Sequence, residues 1–212
     1  TELDADQHDA VSNGGGTAID SPVVATTFVR IANDAAPFDD ERVRQALNFA
    51  VDVESIAQAL VSSESHRLAS LFPDDRALGF DPDLAPYAYD PDKAKSLLAD
   101  AGVSEGQKID LQVTSNGRKD VAEAIAAQLG DVGLDVSVVS TELATFNGQW
   151  KDTSAPTLRL VSWGPMYDPQ TLLSLVFSSK GFLSRFTDSE VDRLIDAGAS
   201  ETDPAKRGEL YK

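Results

Sequence analysis

Three short stretches of this sequence carry groups suited to holding a small molecule: SNGRK at 115–119, STELA at 140–144 and WGPMYD at 163–168. Each follows an apolar or alternating run, so each falls where a strand gives way to a loop. Trp163 and Tyr167 lie in a loop punctuated by glycine and proline, off any periodic core face. Large aromatics so placed supply apolar area with a polar handle, which is what the wall of a binding cleft needs. With Asn116, Arg118 and Met166 beside them they make up the candidate ligand-binding residues. Asp168 has a different role. It precedes Pro169 just as Asp90 precedes Pro91 and Asp203 precedes Pro204, and an aspartate before a proline is a helix N-cap signature.

Machinery for turning over a substrate is missing from the sequence. There is no cysteine, hence no thiolate nucleophile, disulfide or zinc–thiolate site. His8 and His66 are the two histidines, and neither belongs to an HxxxH or calcium-loop pattern. No GxSxG elbow positions a serine, and no GxxxxGK[ST] or GxGxxG cradles a phosphate. The GGG run at 14–16 precedes no helical pattern and reads as a flexible turn. Neither a metal site nor a cofactor is expected. The catalytic alternative that survives is a hydrolase using paired carboxylates, which a chain with 35 acids could assemble.

Those acids stand against 18 Lys and Arg, a formal charge of −17 over 212 residues. Phosphate backbones and anionic lipid surfaces draw their affinity from clustered Lys and Arg, so nucleic acid is not an expected partner. The acidity reads as a solvated surface. With 42% hydrophobic residues the chain has enough apolar content for a sizeable core, and no apolar run approaches the roughly 20 residues of a membrane span.

The elements that must position the three stretches can be read from periodicity. Residues 1–22 read as an irregular lead-in. VVATTFVRIA (23–32) reads as a strand, and DDERVRQALNFAVD sets Val43, Ala46, Leu47, Ala50 and Val51 on one helical face, with Asp39 or Asp40 as cap. Asp52 caps a second short helix ending near Leu60. Residues 73–92, rich in Pro, Asp and Tyr, predict a long surface loop. Asp90–Pro91 opens the next helix and Gly102 closes it. IDLQV (109–113), a helix carrying Val121, Ile125, Leu129 and Val132, and LDVSVV (134–139) form a β-α-β unit with parallel strands. A helix near 142–151 precedes a further strand, TLRLVSW (157–163). QTLLSLVF, SEVDRLIDAGA and PAKRGELYK follow as helices, the last cut off by the chain end. The class is α/β. If the strands at 109, 134 and 157 are mutually parallel, their carboxyl ends bring the three stretches to one edge, where ligands settle in open α/β sheets.

Several segments together resemble one family, the extracytoplasmic solute-binding proteins of the peptide, opine and nickel class that serve ABC importers. APFDDERVRQALNFAVDVESI (36–56), YDPDKAKSLLADAG (89–102) and TDSEVDRLIDAGASETDPAKRGELY (187–211) match its motifs in order. The resemblance implies a periplasmic-binding-protein-like lobe of type II, a mixed sheet with flanking helices over residues 23–212. It also implies a missing first lobe of the same protein, a membrane permease as partner, and a periplasmic or lipid-anchored surface location. Peptide-binding relatives carry an acid about three residues after the tryptophan, whereas residues 164–166 here are Gly, Pro and Met. The spacing Trp-Gly-x-x-Tyr-Asp-Pro is similar to that of the nickel-type branch. Di- or oligopeptide and metal chelate are therefore both expected solutes.

Overall fold

A computed structural model describes residues 10–17, 25–164 and 168–212. Its elements run β1 (Thr26–Ile31), α1 (Glu41–Ala50), α2 (Val53–Leu60), α3 (Pro91–Asp100), β2 (Gln107–Thr114), α4 (Lys119–Asp131), β3 (Leu134–Thr141), α5 (Leu143–Gly148) and β4 (Leu158–Trp163). They end with α6 (Gln170–Leu172), which widens into a π turn over Leu173–Phe177, then α7 (Ser189–Ser200) and α8 (Pro204–Tyr211). The lead-in contributes one helical turn at 10–13, closed by Gly15 at φ +80°.

Helices α1, α2, α3, α7 and α8 start where aspartates fall, whereas α4 and α5 start at Arg118 and Glu142 without a side-chain cap. Asp40 accepts from the Arg42 N–H (2.8 Å), Asp52 from Ser55 (3.1 Å) and Asp90 from Lys93 (2.9 Å), each satisfying an otherwise orphaned donor of a first turn. Helix α3 also has Pro91 at its first position and ends before Gly102, whose φ of +74° a side chain would strain. Their apolar stripes face the sheet: Val43, Ala46, Leu47 and Ala50 from α1, Ala94 and Leu98 from α3, Val121, Ala122 and Leu129 from α4.

Four strands form one sheet in the order β1-β4-β2-β3. β2 pairs with β3 and with β4 in parallel, while β1 lies antiparallel to β4 with Thr26 opposite Trp163. The sheet is therefore mixed, and the parallel set is the one expected from the β-α-β reading. Its first face, carrying Ile109, Leu111, Val113, Leu134, Leu158 and Leu160, packs under α1, α3 and α4 as the main core. Each such side chain, fully buried, contributes about 1.5–3 kcal/mol. The expected loop at 73–92 is a strap without helix or strand up to Asp90, its last two residues already opening α3, and it is pinned by the Asp90 N–H on the Phe49 carbonyl (2.9 Å) and by Tyr87 edge-on to Phe49.

QTLLSLVF departs from the regular helix its pattern predicts. The Ser178 N–H reaches back five residues to the Leu173 carbonyl (2.9 Å), and Gly181 sits against the Ser174 and Leu175 carbonyls, too close for a Cβ. The widened turn is how this segment reverses into the next loop.

Candidate functional site

The carboxyl ends of β2, β3 and β4 lie side by side, so the edge expected from sequence exists. β2 ends at Thr114 opposite Thr141 of β3, and the Ser115 N–H donates to the Thr141 carbonyl (2.8 Å), holding the two loops together. Between them Gly117 folds back onto Thr114: its N–H donates to the Thr114 carbonyl (2.8 Å), and a Cβ there would meet Thr114 Oγ1 at 2.6 Å. Asn116 is exposed at the tip of this turn.

Arg118 lies at the end of the same turn, on partners within the chain. It lies within a bidentate grip on Asp120 (2.7 Å and 3.1 Å) and donates to the Leu60 carbonyl at the end of α2. That partnership lowers the Asp120 carboxyl below its ordinary pKa. The guanidinium thus braces the loop against the helical layer.

Trp163 closes β4, half-buried. Its ring meets Phe28 edge-on at 5.9 Å and belongs to a second, smaller core with Phe146, Trp150, Val161 and Leu183 on the sheet's other face. The indole is packed on this cluster and stays partly exposed. Met166 and Tyr167 lie outside the described residues. Asp168 caps, as its sequence context predicts: the Gln170 N–H donates to Oδ1 (3.0 Å). Both its oxygens also take the guanidinium of Arg207 (2.9 Å and 3.1 Å), which binds in turn the Gly198 carbonyl and the Tyr211 hydroxyl. Burial opposes ionisation of Asp168, but the Gln170 N–H and Arg207 outweigh it and hold the carboxyl below its ordinary pKa. Asp168 is thereby engaged by partners of its own chain, although its side chain stays more than half exposed. Glu142, which follows β3, is exposed, and its carboxylate makes no hydrogen bond or ion pair among the described residues.

The second face holds a feature the sequence reading missed. Arg159, fully buried, stacks over the rings of Phe146 (3.9 Å) and Trp150 (4.3 Å) and donates to the Phe146 carbonyl. Arg30 lies directly opposite it across the β1–β4 pair and donates to the Trp150 carbonyl (3.1 Å). Arg185, its side chain 4% exposed, pairs with Asp34 (2.7 Å). Burial first, then the like charge of a neighbouring arginine, pushes Arg30 and Arg159 down to about 10. The signal was present: each is the one charge inside an apolar strand, in TFVRIA and TLRLVSW. Among the described residues no cluster of three His, Asp or Glu could hold a metal ion.

A mixed sheet with helices stacked on one face and an open parallel edge is the lobe architecture of type II periplasmic binding proteins. NikZ of Campylobacter jejuni, solved in complex with Ni(L-His), superposes with a TM-score of 0.84 at 23% identity over 99% of this chain and 46% of its own. Residues 1–184 match the family of bacterial extracellular solute-binding proteins, family 5, middle region, and the chain belongs to that family. Among curated relatives, the dipeptide-binding protein of Escherichia coli is 33% identical over 83% of the chain, and the heme-binding protein A of Haemophilus influenzae is 30% identical over 87%. The chain spans 35% and 36% of their respective lengths. These relatives are binding proteins, not enzymes.

Proposed function

We propose that residues 23–212 form one lobe of a solute-binding protein that captures a di- or oligopeptide, or a similar small solute, for an ABC importer. Family membership supports a substrate-binding role in such import. The observation that carries the site is the parallel edge itself, which sets Trp163 and the 115–118 turn at neighbouring strand ends. On this reading Trp163, Met166 and Tyr167 wall the pocket, and Asn116 and Arg118 contact the solute from the neighbouring turn. Solute capture needs the other lobe of the same protein, delivery needs a membrane permease, and the location is extracytoplasmic. No helix among the described residues is long and apolar enough to cross a membrane.

The composition of 163–170 favours a second solute class. A buried ammonium needs an anionic partner; Asp168 is occupied by Arg207, and 164–166 offer no acid. Glu142 is the substitute at this edge for a peptide's amino terminus. Without it, the pocket suits a chelated metal whose charge is already neutralised. Thermal shift and calorimetry of the full-length protein against dipeptides, nickel with histidine, and simple esters separate these readings. Saturable stabilisation by peptide, lost in Glu142→Gln, supports the first; stabilisation by the chelate alone supports the second. Turnover of an ester would overturn both.

A further inference from the structure

We propose that Gln112 and Arg159 fasten α5 to the second face of the sheet and thereby fix Glu142, the residue from which α5 starts, at the solute-binding edge. The inference rests on the reading of Glu142 as the partner of a peptide's amino terminus. Glu142 cannot fix itself there: α5 starts without a side-chain cap, and a helix of six residues is too short to hold its shape unaided. Its support must come from the sheet.

Both side chains leave the sheet on the side where α5 lies. Leu111 and Val113 on β2, and Leu158 and Leu160 on β4, belong to the main core, so the alternation of a strand turns Gln112 and Arg159 to the opposite face. Both are buried, at 1% and 0% exposure. Gln112 Nε2 donates to Thr141 Oγ1 (3.0 Å), just before Glu142, and to Gln149 Oε1 (2.8 Å), just after the last residue of α5. Arg159 donates to the Phe146 carbonyl between them, and the Phe146 N–H donates to the Glu142 carbonyl (2.8 Å). The short helix is thus held before its start, in its middle and after its end by two residues that stand opposite each other in the β2–β4 register.

The polar atoms left over fit the same account. Gln112 Oε1, Arg159 Nε and Arg159 Nη1 are buried without a partner among the described residues, and they are one acceptor and two donors on paired residues of one face. The groups needed for Arg159 to donate to Gln112 are in place. Such a bond would satisfy a buried amide and a buried cation together and join the two fasteners into one network.

The test uses the full-length protein and compares its affinity for alanyl-alanine with that for the N-acetyl form, a ratio that isolates the amino terminus and cancels effects common to both solutes. Wild type should favour the free amine, and Glu142→Gln should lose that preference; failure of either would remove the reading of Glu142 and this inference with it. Gln112→Met keeps the side-chain volume and removes its hydrogen bonds, so it should lower the ratio about fivefold, the size of one hydrogen bond's contribution. Thr141→Val, which deletes only the hydroxyl, should lower it in the same direction and is the milder change if Gln112→Met folds poorly. Gln128→Met, which frees the Asp52 N–H on the helical layer of the other face, should leave it unchanged. Amide exchange gives a readout without solute: the Phe146 N–H should exchange faster in Gln112→Met and Thr141→Val than in wild type, and equal rates would overturn the fastening. A ratio unchanged in Gln112→Met and Thr141→Val, where Glu142→Gln lowers it, would overturn the positioning role and leave the reading of Glu142 standing.

Discussion

Asp168 shows how little a residue type says until its partners are known. Its carboxylate caps Gln170 and grips Arg207, so Asp168→Ala should cost about 0.5–2 kcal/mol, the value of a lost N-cap; the ion pair adds little at a carboxylate more than half exposed. Solute affinity of the full-length protein should change only modestly. Because the folded carboxyl titrates below its ordinary value of about 3.9, the stabilisation is present above that pH and is lost as pH falls through the lower, folded value. Urea midpoints of wild type and Asp168→Asn should therefore converge under acid and diverge towards neutrality; a constant gap would contradict the linkage. Trp163→Ala should cost less than the roughly 3–5 kcal/mol of a fully buried tryptophan, since the indole stays partly exposed. Trp163→Phe should keep most of the stability, so affinity measured in that variant isolates the contribution to solute.

Among the elements, the pair α7 and α8 is decided by a glycine. Ala is intrinsically better than Gly in a helix by about 1 kcal/mol, yet a Cβ on Gly198 would stand 2.3 Å from Tyr211 Cε1 and 2.6 Å from Cζ. Gly198→Ala should therefore destabilise, by about 1–3 kcal/mol as an overpacked contact, and chemical denaturation gives the sign directly. The helices with aspartate caps were legible in the sequence because start, stripe and stop all agreed, α3 with Asp90, Pro91 and Gly102 being the fullest case. The β2-α4-β3 unit was legible for the same reason, and it located the edge that carries the candidate site. What escaped was everything set by non-local partners. Nothing in VVATTFVRIA says that β1 runs antiparallel beside the last strand. Nothing in SNGRK says that Arg118 turns towards Asp120 and Leu60 while Asn116 stays exposed. Arg30 and Arg159 interrupt their strands visibly, but only the β1–β4 pairing shows that they meet.

At the scale of the whole molecule, the main core joins three helices to the sheet without help from elsewhere, so the 212-residue chain should unfold cooperatively in urea. A gradual, non-sigmoidal far-UV signal would contradict this. The isolated chain should bind solute far more weakly than the full-length protein, since on the proposed function half the pocket belongs to another lobe; equal affinities by calorimetry would remove that division.

The position of β1 has a consequence for how the chain matures. Thr27 and Ser162 touch through their hydroxyls at 2.7 Å although 135 residues separate them, so among the described residues β1 finds its sheet partner only in β4. Pairings between segments so distant in the sequence close slowly. Amides of β2 and β3 should gain protection early in refolding and those of β1 last, which pulsed hydrogen exchange would resolve. Delayed closure of this kind leaves β4 with one open edge after it has joined β2.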